Sequence, residues 1–172
     1  MQTFIVLLRG VNVGGKNLLP MKPLVALLEQ KNIKRAMYYI QSGNLLIESD
    51  VEPSKIIASV IFENFGFAPN MFVLSFSDFI TVLENNPFKE FAGKLVHCYF
   101  CESLVEPNKE KISKWISATE QYHVNGNIFY FLAPDGVGRS KLAANIEACI
   151  GQAGTGRNLN TINKLKVLAE KF

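Results

Sequence analysis

The chain predicts an α+β fold made of two ferredoxin-like (split β-α-β) subdomains in tandem, with mainly antiparallel sheets. Three observations carry this. Strand-period and helix-period segments alternate in the order β-α-β-β-α-β over the first half. Two hairpin signals, Ser42-Gly43 and Asn125-Gly126, force neighbouring strands to run antiparallel in each half. The 172 residues, 48% hydrophobic and 11% aromatic, supply a core for both halves and exclude a disordered chain.

The elements follow in order. Residues 3–9 (TFIVLLR) are an unbroken apolar run and read as a buried strand. A glycine loop follows, and the helix begins near Pro20, whose fixed φ suits a first turn. Residues 36–49 form two strands about Ser42-Gly43. A helix then runs from Pro53 to Gly66, marked at both ends, before the strand NMFVLSF.

A short helix (SDFITVLENN) links the halves. The second half opens on the strand KLVHCYF, then the helix EPNKEKISKWIS, then a hairpin around Asn125-Gly126. Two helices, SKLAANIEACIG and NTINKLKVLAEKF, close it, so a helix is expected where a fourth strand would stand. The expected organisation is residues 1–76 as the first subdomain, 77–92 as linking helix and loop, and 93–172 as the second, ending in two helices.

Residues 7–20, LLRGVNVGGKNLLP, contain G-x-x-x-x-G-K from Gly10 to Lys16, the phosphate-binding loop pattern without its last residue. The next residue is Asn17, which has no hydroxyl for magnesium. Pro20 would fall inside the helix such a motif requires, at a cost of about 3 kcal/mol or more. The antiparallel hairpins also contradict the parallel sheet of that motif. The segment is therefore read as an open loop whose Gly14 and Gly15 turn backbone N–H groups toward an anion, with Arg9, Asn12, Lys16 and Asn17 as surrounding donors.

Topology places a second set of donors nearby. In the split β-α-β order the turn after strand two opens on the same sheet edge as the loop after strand one, roughly 10 Å away. Gln41, Ser42 and Asn44 then share that edge with residues 9–17. Two further glycine-plus-cation segments lie near the C-terminus. PDGVGRSKL offers Arg139 and Lys141 about a helix start capped by Ser140, and GTGRNLNTINKL offers Arg157 and Asn158, with Asn160 or Thr161 as cap.

Other polar groups are read as structural. Cys98 and Cys101 are three apart on a strand and face opposite sides, so they cannot share a metal or a disulfide. His97 and His123 have no ligand-spaced partner, and Trp115 fits a helical core position. Phe129 and Phe131 would stack bases only on an open sheet face, and core packing is the simpler reading. No metal site, cofactor motif or general base is read.

The segments LLRGVNVGGKNLLPM, YIQSGNLLIE, NPF, DGVGRSKL and GRNLNTINKL, spread over residues 7–165, are together similar to the bacterial domain-of-unknown-function 1697 family. The resemblance implies a bacterial α+β protein of two ferredoxin-like subdomains and supplies no activity, substrate or cofactor. Its last motif usually has an aromatic residue between the two asparagines, where this chain has Leu159.

The net charge of +3 divides unevenly: +2 over residues 1–75, −3 over 76–138 and +4 over 139–172. An anionic partner suits the basic ends, at a charge density below that of a dedicated nucleic-acid module. Three unframed cysteines point to a reducing cytoplasm, and the five-residue apolar run at Phe4–Leu8 is too short for a signal peptide or a membrane span. The expectation is a cytoplasmic protein that binds a small phosphorylated or carboxylated ligand. The alternatives are a nucleic-acid-binding module and a protein–protein adaptor.

Overall fold

The computed structural model describes residues 1–172 as two compact units, Met1–Ile80 with Leu165–Phe172, and Thr81–Lys164. No helix is long and apolar enough to cross a membrane.

The first unit contains β1 (Gln2–Leu8), α1 (Met21–Glu29), β2 (Arg35–Tyr39), β3 (Asn44–Ser49), α2 (Ser54–Phe65) and β4 (Met71–Ser75), followed by the start of α3 (Phe76–Glu84). Its four-stranded sheet has the order β2-β3-β1-β4, every neighbouring pair antiparallel. This is the order a split β-α-β chain must take, because β3 and β4 flank β1. Phe4, Val6 and Leu8 of β1, with Leu45 and Ile47 of β3, pack against Leu24 and Leu28 of α1 and Ile57, Val60 and Ile61 of α2. The opposite face is buried too, at Ile5, Leu7 and Leu46, which explains why β1 is apolar at successive positions instead of alternating. Helix α2 ends where Gly66 adopts a left-handed φ of 79° and donates its N–H to Phe62 O.

The second unit contains the end of α3, a 3-10 turn at Gly93–Leu95, β5 (Val96–Cys101), α4 (Lys109–Trp115), β6 (Gln121–Asn125), β7 (Ile128–Leu132), α5 (Lys141–Ala144), α6 (Ile146–Ile150), β8 (Gly154–Asn158) and the first turns of α7 (Leu159–Ala169). Its sheet has the order β6-β7-β5-β8, again all antiparallel, so the two units share one topology. Tyr99, Cys101, Phe129 and Phe131 pack with Ile112, Leu142, Ile146, Cys149 and Ile150 of the covering helices. On the other face Cys98, Phe100 and Tyr130 are buried, and the Tyr130 hydroxyl donates to Val82 O at 2.8 Å.

Two expectations for this unit are corrected. Residues 154–158, read from sequence as a glycine–cation loop, form the fourth strand. Glycine weakens a strand because it has no side chain to pack. Here the ring of Tyr99 supplies the missing contact: a Cβ on Gly156 would lie 2.8 Å from Tyr99 Cε1. The single helix expected from Ser140 to Gly151 is instead two short ones, interrupted at Asn145 (φ −117°, ψ 22°), whose Nδ2 donates to Lys141 O.

Candidate functional site

In the first unit the donors expected at one sheet edge do share it. Leu8 N donates to Gly43 O at 2.7 Å and Arg9 N to Asn70 O at 2.8 Å, so the end of β1, the β2–β3 turn and the start of β4 meet there. Gly43 is required at this point. Its φ is +84°, and a Cβ would lie 2.6 Å from Val11 Cγ2 and 2.8 Å from Leu8 Cβ.

The loop expected to be open is instead a miniature hairpin. Asn12 N donates to Asn17 O, Lys16 N donates to Val13 O, and Val13 and Lys16 bridge as an antiparallel pair. Gly14 (φ 58°) and Gly15 (φ 72°) form its tip, the pair of left-handed residues a tight two-residue turn needs. Asn12 and Asn17 are left-handed as well (φ 55° and 49°), a conformation that a short amide side chain tolerates. The turn closes on the Lys16 N–H, so that group bonds within the hairpin.

Several of the candidate donors are committed internally. The Asn12 amide accepts from Leu19 N (2.8 Å) and donates to Leu19 O (2.9 Å) and Gln41 O (2.7 Å), which uses both of its donors. Asn44 is fully buried and donates to Tyr39 O and Ser42 Oγ. Asn17 Nδ2 donates to Gly10 O. Lys16, Asn17, Gln41 and Ser42 are exposed, and Arg9 is half-buried. These residues form an ordered polar rim whose scaffold is Asn12, Asn44 and Gly43.

In the second unit the candidate residues gather at one end of the sheet. His97 at the start of β5 pairs with Asn158 at the end of β8, and Leu95 O accepts from Ala133 N just beyond β7. Ser140 caps α5, its Oγ accepting from Ala143 N at 3.0 Å. Asn158 caps α7, accepting from Thr161 N at 2.9 Å. The expected caps, Asn160 and Thr161, are thus displaced by Asn158, because the helix begins at Leu159 and the capping side chain must precede it. Leu159 is itself buried and presents no stacking surface. Asn160 packs onto Gly93, where a Cβ would overlap its Oδ1. Arg157 is half-buried on the strand; desolvation pulls its guanidinium down to about 10, and Nη1 donates to Gly156 O.

Arg139 and Lys141 remain exposed and border a groove of about 340 Å³ with Lys114, Trp115, Ser117, Glu120 and Asp135. A shallower depression of about 400 Å³, lined by Lys94 and Pro134, shares Asp135, Gly136 and Arg139 with it. The two carboxylates of the groove brace its wall: Glu120 Oε2 accepts from Ser117 N (2.9 Å) and Asp135 Oδ2 from Thr119 Oγ1 (2.7 Å). The three cations exceed them by one charge and make no ion pair, and Lys114 Nζ lies 5.5 Å from the Trp115 ring centroid.

Sequence reasoning missed Lys114 and Trp115 as groove residues. Trp115 does pack on the core, as expected of a helical aromatic, but it is half-buried and also lines the groove. It missed Asn86 as well, a fully buried residue whose Oδ1 accepts from Phe88 N while Nδ2 has no partner. Phe129 and Phe131 are fully buried, so neither ring is open to stack a base. No group of three or more His, Cys, Asp or Glu is placed to hold a metal ion. The cysteines are buried thiols, Cys98 pushed up to about 12 and Cys101 to about 11 by desolvation, so neither is an activated nucleophile.

A family model described as "Protein of unknown function (DUF1697)" matches residues 1–130. The chain is similar in structure to the conserved bacterial protein SP0830 from Streptococcus pneumoniae, with a TM-score of 0.74 and 22% identity over 98% of each chain, a likeness that shows the fold alone. A comparison with curated proteins finds no match.

Proposed function

For a chain that belongs to the DUF1697 family, we propose binding of a small phosphorylated or carboxylated ligand in the groove bordered by Lys114, Arg139 and Lys141. The observation that carries this reading is the set of three cations without ion pairs around one concave volume, in which both carboxylates already accept hydrogen bonds from the groove wall. Cations left unpaired in a concavity raise the local concentration of anions and discriminate by charge. Arg139 adds a planar fork suited to the paired oxygens of a phosphate or carboxylate. The groove volume lies near the lower end of the range of about 300–1,000 Å³ for small-molecule sites, which suits a compact ligand. The exposed polar rim of the first unit, with Lys16 and Gln41, offers donors to the same class of ligand.

The test is calorimetric titration with inorganic phosphate, pyrophosphate and citrate. Binding is expected for at least one of them. It is expected to weaken about tenfold in Arg139→Ala and in Lys141→Ala, and to weaken with added salt. Binding that is absent for all three anions, or unchanged in the Arg139→Ala, Lys141→Ala double variant, rejects the reading.

A further inference from the structure

The anion-binding reading does not by itself explain Trp115, the chain's one tryptophan, at the wall of a cationic groove. Trp115 is the last residue of α4 and packs against the core that contains Ile112, Phe129 and Leu142. Core packing accounts for part of the indole, but the residue is half-buried and also lines the groove. An indole at a groove wall offers a π-surface on which a planar ring gains dispersion and stacking contacts. Lys114 Nζ lies over the ring, 5.5 Å from its centroid, so a planar ring takes this face by moving the exposed lysine side chain aside.

The carboxylates add a third feature. Glu120 and Asp135 each use one oxygen on the groove wall, Oε2 to Ser117 N and Oδ2 to Thr119 Oγ1. The hydrogen bonds of these two groove-lining residues leave Oε1 and Oδ1 as further acceptors. A simple phosphate or carboxylate has no planar ring to place against the indole. A molecule with an anionic end, donor hydroxyl or amino groups and a planar ring uses all three kinds of group. The volume of about 340 Å³ limits it to one such unit.

Building on the anion-binding reading of the same groove, we infer that its ligand is a nucleoside monophosphate, with the phosphate on Arg139, Lys141 and Lys114, the base against Trp115, and sugar hydroxyls or base amino groups donating to Glu120 and Asp135. The ring selects the class and the cations supply its charge. Base identity is set by whichever edge meets the two acceptors, so bases with an exocyclic amino group bind better than uracil.

Calorimetry with inorganic phosphate, adenosine, and the monophosphates of adenosine, guanosine, cytidine and uridine tests this, with the single tryptophan's fluorescence as a second readout. The expected result is that at least one nucleoside monophosphate binds about tenfold or more tightly than phosphate, from stacking of one base, and changes Trp115 emission. Trp115→Leu is expected to lose that advantage while keeping phosphate affinity, and Trp115→Phe to retain most of it, which separates stacking from folding. Arg139→Ala weakens phosphate and nucleotides together. Phosphate binding with no nucleotide advantage overturns the ring assignment and leaves the anion reading intact. Absence of binding by phosphate and nucleotides alike overturns this inference, and absence of binding by pyrophosphate and citrate as well overturns both. A single-stranded RNA that binds tenfold tighter than every mononucleotide overturns the inference in favour of a nucleic-acid site.

Discussion

The side-chain amide of Asn12 donates to the main-chain oxygen of Gln41 at 2.7 Å, tying the glycine loop after β1 to the turn between β2 and β3. The same amide brackets Leu19, accepting from its N–H and donating to its carbonyl. One residue thus closes the loop on itself and fixes it to the sheet edge. The loop spans twelve residues (9–20), against seven (102–108) at the equivalent connection of the second unit. Its order comes from this staple and from Val11 and Leu19, both buried beneath it.

Asn12→Ala is therefore expected to destabilise the protein by about 1–3 kcal/mol, chiefly because Leu19 N–H and C=O lose their partner in a buried setting. Asn12→Gly is expected to cost less than Asn12→Ala, since glycine accepts the φ of 55° without strain. Urea denaturation measures both. Amide exchange should quicken at residues 12–19 more than in β1; uniform exchange would show that the loop does not depend on the staple.

Gly43→Ala is expected to cost about 1–3 kcal/mol through overpacking against Val11 and Leu8, in addition to the strain of its positive φ. Gly126→Ala is the control. It sits at the other hairpin turn with φ 59°, and an added methyl would meet no neighbour within 4 Å, so only the backbone strain applies. Equal thermal destabilisation of the two variants would refute close approach as the reason for Gly43.

Tyr99 and Gly156 are expected to be energetically coupled. Gly156→Ala drives a methyl into the ring of Tyr99 and should lower stability by about 1–3 kcal/mol. In a Tyr99→Leu background the obstructing ring is gone, and the same change should cost less or become favourable, because alanine is the better strand residue. A double-mutant cycle reads the coupling, expected within about 0.5–3 kcal/mol. Simple additivity would mean that the ring does not shape β8.

The pH dependence of stability follows from buried groups. Burial lowers His97 below its ordinary 6.5, so the folded state resists a proton that the unfolded chain accepts. Its contribution is present above pH 6.5 and is lost as pH falls through the folded value. Burial raises Cys98 from 9.0 to about 12, Cys101 from 9.0 to about 11 and Tyr99 from 10.0 to about 12, with the neighbouring Cys98 a smaller influence on Tyr99. Their contribution is complete below the unfolded values and is lost as pH rises toward 12. Urea midpoints should therefore decline on both sides of neutrality. His97→Leu should flatten the acid limb, and Cys98→Ala should shallow the alkaline one; an unchanged acid limb in His97→Leu would assign that limb to other groups.

Much of this architecture was legible in the residues. Pro20 and Pro53 preceded helices, Gly66 ended one, and Asn125-Gly126 and Ser42-Gly43 marked the hairpins, because these signals act within a few residues of the chain. Strand β8 was not legible: Gly-Thr-Gly-Arg-Asn has loop composition, and only its pairing with β5, more than fifty positions earlier, makes it a strand. The groove was half legible. Arg139 and Lys141 stood out beside glycines, whereas Lys114 and Trp115 read as an ordinary amphipathic helix end until the 134–141 segment was placed against them.

The sequence by itself determined the α+β class, the antiparallel order of the first unit and the removal of LLRGVNVGGKNLLP from the phosphate-binding loops, since Asn17, Pro20 and the turn dipeptides exert their constraints locally. Tertiary structure alone decided that this loop is a closed hairpin held by Asn12, that residues 154–158 complete a second sheet, and that Lys114, Trp115, Arg139 and Lys141 border one cavity. The physical reason is range. Backbone dihedral preferences are encoded residue by residue, but the partner of a side-chain amide, the ring that covers a glycine and the walls of a groove come from segments that meet only when the chain has folded.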